Sequence, residues 1–208
     1  METTIVSSVS ERRRAEVILD AAGRLFLAPG PGRVGMDDLA RDLGMSKKTI
    51  YRYFPDKHSL LIAVLDRQFE AVEHTLAAAA EATRDRPFGE QMRRFLLAAA
   101  GELGRIGAAQ LATGRGDAVL RRHVEQRIEA VVYRRLEELF REGYRRGQLS
   151  APPELLAEIT RGAVERLLNS RLPHELDCTA ADLLRSTVDI LLHGAIRPGR
   201  DDEQEAAS

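Results

Sequence analysis

The sequence predicts an all-α protein, and three observations support this fold class. Alanine, leucine, arginine and glutamate dominate the 208-residue chain, and these residue types favour helices. Apolar residues recur at the three- and four-residue spacing of helices, and no alternating run bounded by turn residues indicates a strand. Glycine and proline mark nearly all the breaks between the periodic segments, so these breaks define the ends of the helices.

The pattern predicts nine helices. They cover 10–28, 36–43, 47–54, 57–84, 88–103, 105–112, 117–146, 153–171 and 179–196. The break between the fifth and sixth is expected where Gly101, Gly104 and Gly107 recur, since each glycine costs up to about 1 kcal/mol of helix propensity relative to alanine. Thr179 and Asp182 have the spacing of a capping box at the start of the ninth helix. Residues 1–10 lack periodicity and residues 199–208 are acidic, so we expect disorder at both ends.

Composition excludes several classes of protein. The single cysteine, Cys178, excludes an intramolecular disulfide framework and a zinc site built from cysteines. No apolar run approaches the roughly 18 residues of a membrane helix. The first ten residues lack the basic and apolar regions of a secretory signal. We therefore expect a cytoplasmic protein that does not associate with a membrane.

The charge distribution suggests a domain boundary. The net charge of −1 is the sum of +2 in residues 1–57, zero in residues 58–198 and −3 in residues 199–208. All three lysines lie within residues 47–57. A local basic region on an otherwise neutral chain suggests that this region binds an anion. We therefore expect one domain at 11–57 and a second at 58–198.

Residues 36–54, MDDLARDLGMSKKTIYRYF, have the spacing of a helix-turn-helix. Leu39, Ala40 and Leu43 lie on one face of the first helix. Gly44 supplies the left-handed backbone for a sharp turn. Ser46 can cap the second helix, and Ile50 would face inward. In such a motif the second helix enters the major groove of DNA.

The outward face of the second helix consists of Lys47, Lys48, Thr49, Tyr51 and Arg52. These side chains offer hydrogen-bond donors for guanine edges and phosphate oxygens, and a methyl group for thymine. The helix N-terminus adds a partial positive charge toward a phosphate. An ordinary helical hairpin with a solvated basic face would have the same pattern, so this alternative stays open.

The flanking segments strengthen the first interpretation. The segment ILDAAGRLF precedes the motif at 18–26, and YRYFPDKHSLLIAVL follows at 51–65. Over residues 11–65 the chain resembles the tetracycline-repressor (TetR) family of bacterial transcription regulators. The matching elements are Ala21, Ala22, Leu25, Phe26, Gly30, the DDLA of 37–40, Gly44, Ser46, Tyr51, Phe54, Lys57 and Leu60.

The resemblance implies a three-helix DNA-binding head, with its helix-turn-helix at about 35–54, and a body of about six helices. The body of such a protein dimerises and binds a small-molecule effector, which most often releases a repressor from a palindromic operator. Positions that face bases or nearby phosphates in the family are Lys47, Lys48, Thr49 and Arg52. Phosphate-contacting positions are Tyr51, Tyr53 and Lys57, although Tyr53 could equally be a core ring with a hydrated hydroxyl. Pro31 and Gly35 depart from the family pattern, and Gly35 lacks the hydroxyl that usually meets a phosphate.

The last two predicted helices carry apolar stripes, which suggest a homodimer formed as a four-helix bundle. The residues we expect in that interface are Ile159, Ala163, Leu167, Val188, Leu191 and Leu192. The alternative is that the stripes pack only on their own chain. Candidate pocket residues are His74, Met92, Phe95, His123 and Tyr133, although Met92 and Phe95 could be plain core and the histidines surface residues.

No motif predicts an enzyme. The segments HVEQR (123–127) and HELD (174–177) do not reproduce the HExxH pattern, and GRGD (114–117) is a turn rather than a phosphate-binding loop. We therefore expect no catalytic residue, no metal and no cofactor. The expected partners are double-stranded DNA, a second copy of the chain and an unidentified small molecule. The alternative function is a helical dimer that acts mainly through protein contacts and has a vestigial DNA head.

Overall fold

The computed structural model describes residues 2–26, 35–113, 117–168 and 170–195, with backbone alone for 2–9, 107–113, 168 and 195. These residues form ten α-helices and one π-helical turn, and the described part of the chain contains no strand. The all-α prediction is therefore confirmed. The elements are α1 (Glu2–Phe26), α2 (Met36–Leu43), α3 (Lys47–Tyr53), α4 (Lys57–Glu81), α5 (Phe88–Thr113), α6 (Ala118–Ile128), the π turn (Glu129–Tyr133), α7 (Arg134–Arg145), α8 (Pro153–Leu168), α9 (Leu172–Glu175) and α10 (Ala180–Ala195).

Helix α1 begins at Glu2, so the expected disorder of the first ten residues is wrong for residues 2–10. The helix is anchored further along by Ile18, Ala21 and Ala22, whose side chains are fully buried. Extending an anchored helix adds one hydrogen bond for each residue fixed, whereas a new helix must first be nucleated at a net cost. The polar start of the chain therefore needs no apolar periodicity of its own to be helical. Residues 199–208 lie outside the described residues.

Helix α5 is continuous, whereas two helices were predicted within 88–112. A Cβ atom built on Gly104 would lie 3.1 Å from the Cβ of Ala181 in the first turn of α10. Glycine at this position therefore lets α5 and α10 approach closely. Packing between the two helices offsets the propensity cost on which the predicted break rested.

The predicted helix 117–146 is interrupted by the π turn. Val131, Val132 and Tyr133 are all buried within it. Arg161 of α8 contacts both ends of the turn, because its guanidinium bonds the Glu129 carboxylate at 2.5 Å and lies 4.2 Å from the centroid of the Tyr133 ring. The short helix α9 lies in a segment that was predicted to be a break.

The chain divides into two compact units. The first comprises Met1–Ala71 and Ala108–Arg127, and the second comprises Val72–Gly107 and Ile128–Ser208. The expected boundary after residue 57 falls inside the first unit, because α4 runs unbroken from Lys57 to Glu81. Fully buried side chains of the first unit include Ile18, Leu39, Ile50 and Leu60, and those of the second include Phe95, Phe140 and Leu184.

No helix in the described residues combines the length and apolar character that crossing a membrane would require.

Candidate nucleic-acid interface and ligand cavity

A tight turn at Gly44 joins α2 to α3. Gly44 has φ of 59° and ψ of 29°, the left-handed conformation that was predicted for it. Its N–H donates to the carbonyl of Arg41 at 3.2 Å, and the N–H of Met45 donates to the carbonyl of Ala40 at 2.9 Å. These bonds satisfy two of the free carbonyls at the end of α2 and fix the direction in which the chain enters α3.

The first turn of α3 is capped by Ser46, as predicted. The N–H of Thr49 donates to Ser46 Oγ at 3.1 Å, and the hydroxyls of Ser46 and Thr49 share a hydrogen bond of 2.9 Å. Ile50 is fully buried, which sets the rotation of α3 about its axis. Lys47, Lys48, Tyr51 and Arg52 are exposed as a result.

Helix α2 begins at Met36, and Gly35 occupies the N-cap position before it. The Asp38 carboxylate accepts a hydrogen bond of 2.9 Å from the Gly35 N–H, and this bond lowers the pKa of Asp38. Glycine has no side chain to return the bond, so only half of a capping box is present. Pro31 lies outside the described residues.

The two lysines of α3 differ in their surroundings. Lys47 Nζ lies 2.8 Å from Asp37 Oδ1 of α2, and this hydrogen bond raises the pKa of Lys47. Lys48 is exposed, and no described carboxylate lies within ion-pair distance of it. Lys48 therefore presents its whole charge to solvent, whereas the charge of Lys47 is partly balanced by Asp37.

The end of α3 and the start of α4 carry the remaining predicted contact residues. Arg52 Nη2 donates to the Tyr53 hydroxyl at 2.9 Å, and this bond is the main cause of a raised pKa at Arg52. The hydroxyl of the half-buried Tyr53 thus lies at the surface, as both interpretations of this residue require. Lys57 Nζ lies 5.0 Å from the centroid of the Phe26 ring of α1. Tyr51 is 40% exposed.

Three consecutive arginines of α1 were not among the predicted contact residues. Arg12, Arg13 and Arg14 are exposed, and none lies within ion-pair distance of a carboxylate in the described part of the chain. Their neighbour Glu11 is close enough to Arg52 to contribute to its raised pKa. The part of α1 around Glu11 therefore lies near Arg52 of α3. The run of arginines was visible in the sequence, but its nearness to α3 was not.

A family model for the bacterial regulatory proteins of the tetR family matches residues 18–64, which include α2, the Gly44 turn and α3. Over these residues the chain is similar to the TetR family, and the resemblance inferred from the residue pattern is confirmed for this segment.

Two curated relatives are similar to part of the chain. An uncharacterised HTH-type transcriptional regulator of Mycobacterium tuberculosis is 43% identical over 54 residues, which are 26% of this chain and 27% of that protein. The HTH-type transcriptional repressor KstR of Rhodococcus jostii is 37% identical over 68 residues, or 33% of this chain and 32% of that protein. The chain thus matches about a quarter to a third of the length of these relatives.

The likeness to solved structures extends over nearly the whole chain. A Saccharomonospora viridis protein solved in complex with choline is 21% identical, with a TM-score of 0.69, over 91% of this chain and 100% of that chain. At this identity the likeness shows the fold alone. It agrees with the predicted helical body that follows the helix-turn-helix.

The second unit contains a cavity of about 460 Å³ between the end of α4, the start of α5, the π turn and α7. We call it the larger cavity. Phe95, one of the candidate pocket residues, is among the residues that line it. His74 is exposed and does not line it, and Met92 is fully buried in the core. His123 belongs to the first unit, where it is hydrogen-bonded to Asp66 at 2.9 Å.

A smaller cavity of about 30 Å³ lies between α5, the π turn, α8 and α10. Tyr133 lines it together with apolar side chains such as Leu103, Val132 and Leu184. Burial raises the pKa of Tyr133 to about 12. A volume of this size holds about one water molecule. Tyr133 therefore belongs to a tightly packed core rather than to a space the size of a ligand.

The predicted interface residues on α8 and α10 divide into two groups. Val188 and Leu192 are buried within their own chain, so the expectation that they face a partner is wrong. They pack inward because α8 and α10 contact each other, which covers one side of each stripe. Ile159 is 51% exposed, and Ala163, Leu167 and Leu191 are half-buried.

Two exposed apolar residues were missed on the same pair of helices. Leu155 is 51% exposed on α8 and Ile190 is 75% exposed on α10. The hydroxyl of Ser150, just before α8, donates to the carbonyl of Gly194 at 3.4 Å, so the start of α8 lies beside the end of α10. Leu155, Ile159 and Ile190 therefore lie towards the same end of the pair, and we call them the exposed apolar patch.

Proposed function

We propose that the protein is a DNA-binding transcriptional regulator whose helix α3 enters the major groove. The observation that carries this proposal is the basic face of α3, which the left-handed turn at Gly44 and the Ser46 cap hold exposed. Exposed lysine and arginine side chains in the first turns of such a helix reach base edges and phosphates.

We assign Lys48 and Arg52 as the main base readers of α3. Lys48 forms no ion pair with a described carboxylate that DNA binding would have to break. Arg52 needs only to exchange its hydrogen bond with the Tyr53 hydroxyl for one with a base edge. Lys47 must first separate from Asp37, so its net contribution is smaller. Thr49 stays near the base-facing side, although its hydroxyl is engaged by Ser46.

Phosphate contacts are assigned to Tyr51, Tyr53 and Lys57, as the family pattern implies, and also to Arg12–Arg14. An arginine that pairs with no described carboxylate, such as Arg12, Arg13 or Arg14, loses little when it binds a phosphate. Each such contact releases a counterion from the DNA. The three arginines would therefore add affinity without adding sequence preference.

The regulator acts as a homodimer on a palindromic operator, and a small-molecule effector most often releases it. The exposed apolar patch on α8 and α10 supports dimerisation through these helices. Two heads related by a two-fold axis must match major grooves about 34–36 Å apart. The volume of the larger cavity, about 460 Å³, lies within the range of small-molecule pockets, so it is the candidate effector site. The repressor KstR among the relatives supports repression as the default outcome.

A mobility-shift assay with the DNA upstream of its own gene tests the proposal. The full-length protein should shift this DNA in the presence of non-specific competitor, and less so at higher salt. Lys48→Ala and Arg52→Ala should each weaken specific binding about tenfold and relax preference at one position of each half-site. Arg94→Ala removes an exposed arginine of α5 that pairs with no described carboxylate, and it should change nothing.

The arginines of α1 are tested by the salt dependence. Replacing Arg12–Arg14 by alanine should flatten the log–log slope of affinity against salt by about 0.9 for each phosphate that is no longer neutralised, twice over in a dimer. The same number of charges removed at Arg86, Arg94 and Arg134, which are also exposed, should leave the slope unchanged. A dimer that shifts no DNA at either salt concentration would refute the proposal and support the protein-contact alternative.

A further inference from the structure

The larger cavity has one negative charge that no cation of the described chain balances. Arg84 is paired with Glu81, and Arg135 is paired with Glu138 at 2.8 Å. Glu73, which also lines the cavity, has no lysine, arginine or histidine within ion-pair distance among the described residues. Glu73 therefore offers a ligand a negative charge that is not already paired with a described cation.

Each donor side chain of the cavity lining already makes at least one hydrogen bond or ion pair within the chain. The Gln91 amide donates to the carbonyls of Arg84 and Arg86 at 3.1 and 2.7 Å. The Thr83 hydroxyl donates to the carbonyl of Ala79 at 3.0 Å. Both arginines of the lining point to carboxylates. An anionic ligand would have to share a guanidinium that already faces a carboxylate, whereas a cation would find the Glu73 carboxylate without a described cationic partner.

The remaining lining is mostly apolar. Leu76, Phe95 and Val131 are buried side chains that face the cavity. An apolar ligand that packs against them removes mainly its own apolar surface from water, and the gain is proportional to the area that is buried. The cavity thus combines an apolar wall with one acceptor of positive charge at the exposed Glu73.

We propose that the larger cavity binds an amphipathic organic cation, with its ammonium group beside Glu73 and its apolar body against Leu76, Phe95 and Val131. In naming this ligand as the effector, the inference rests on the proposed function. The ligand class itself rests only on the cavity. The ammonium carries a permanent or near-permanent positive charge and needs no hydrogen bond from the protein.

Three probes of equal chain length test this ligand class. They are octyltrimethylammonium, 1-octanol and octanoate, titrated into the full-length protein by calorimetry below the micellar concentrations of the two ions and the solubility limit of the alcohol. Because Glu73 is exposed, we expect the cation to bind only about 2- to 5-fold more tightly than the alcohol at low salt, and octanoate to bind more weakly than the alcohol. The preference should shrink at high salt, where the charges are screened.

Variants of Glu73 identify the origin of the preference. Glu73→Gln should make the cation and the alcohol bind equally, and Glu73→Lys should make octanoate the preferred probe. Glu70→Gln is the matched control, since Glu70 is an exposed glutamate of α4 outside the lining, and it should keep the preference of the unmodified protein. Circular dichroism checks that each variant keeps its helix content.

The inference is overturned if octanoate binds as tightly as the cation, if no probe binds saturably, or if Glu73→Gln and Glu70→Gln behave alike. A parallel mobility-shift assay keeps the two proposals separate. Release of operator DNA by octyltrimethylammonium supports both. A protein that shifts no DNA but retains the Glu73-dependent preference overturns the proposed function and supports the ligand class.

Discussion

Replacing Gly44 with alanine would isolate the free-energy cost of the left-handed turn between α2 and α3. Gly44 has φ of 59°, and a Cβ built on it meets no atom within 4 Å, so the substitution introduces no steric contact with the rest of the chain. The left-handed conformation costs alanine about 1–2 kcal/mol. Alanine also makes the unfolded chain less flexible than glycine does, and this stabilises the folded state by about 0.4–1 kcal/mol. We therefore expect Gly44→Ala to lower the free energy of unfolding by about 0.8 kcal/mol, and by at most about 1.6 kcal/mol.

Gly101→Ala is the matched control, because it makes the same chemical change within helix α5, where a Cβ also meets no atom within 4 Å. Alanine is the better helix former, so this variant should be more stable by about 0.5–1 kcal/mol. Urea denaturation followed by circular dichroism, at one protomer concentration, measures both changes. With a slope near 2 kcal/mol/M, a change of 1 kcal/mol moves the midpoint by about 0.5 M. If Gly44→Ala were as stable as Gly101→Ala, the assigned role of the left-handed turn would be incorrect.

Two further predictions concern the body. Ile159→Glu and Ile190→Glu should each weaken the proposed dimer, because they place a charge in the exposed apolar patch. Val119→Glu is the control, since Val119 is 57% exposed on α6 and this variant should stay dimeric. Light scattering measures the oligomeric state, and Ile159→Glu and Ile190→Glu proteins that remain dimeric would contradict the assignment. The tyrosinate absorbance should include a component that titrates near pH 12 and is absent from Tyr133→Phe. Since this folded-state pKa lies above the unfolded value of about 10, stability should fall between pH 10 and 12, less steeply in Tyr133→Phe.

The turn and the helix caps could be predicted because they depend on interactions between residues close in sequence. Gly44 takes its conformation from the geometry of one turn, and Ser46 caps α3 through an N–H three residues away. Thr179 and Asp182 form the predicted capping box, with Asp182 N–H donating to Thr179 Oγ1 at 3.1 Å and Thr179 N–H donating to Asp182 Oδ2 at 3.0 Å. In each case the partners are fixed by spacing alone.

The residues that were misassigned depend on partners far away in sequence. Periodicity identifies the apolar side of α10, but it does not tell whether Val188 faces α8 of the same chain or a second copy. Likewise His123 is a reasonable pocket residue by position, yet Asp66, 57 residues earlier, holds it in the first unit. The pairing of Lys47 with Asp37 has the same origin, since it depends on the angle between α2 and α3.

The π turn is an intermediate case. The spacing of apolar residues in the sequence indicates that a wider turn is needed, but it does not show where in the helix this turn lies. Apolar residues follow one another at a strict spacing of four over Leu120, Val124, Ile128, Val132, Leu136 and Phe140. In an ideal α-helix with 3.6 residues per turn, each such step advances the row by about 40° around the axis, so six residues would leave any single face. A π turn, whose hydrogen bonds span five residues rather than four, rotates the row back. All but the half-buried Ile128 are in fact buried. The spacing therefore calls for a wider turn somewhere in this helix, while the contacts of Arg161 with Glu129 and Tyr133 decide that it lies at residues 129–133.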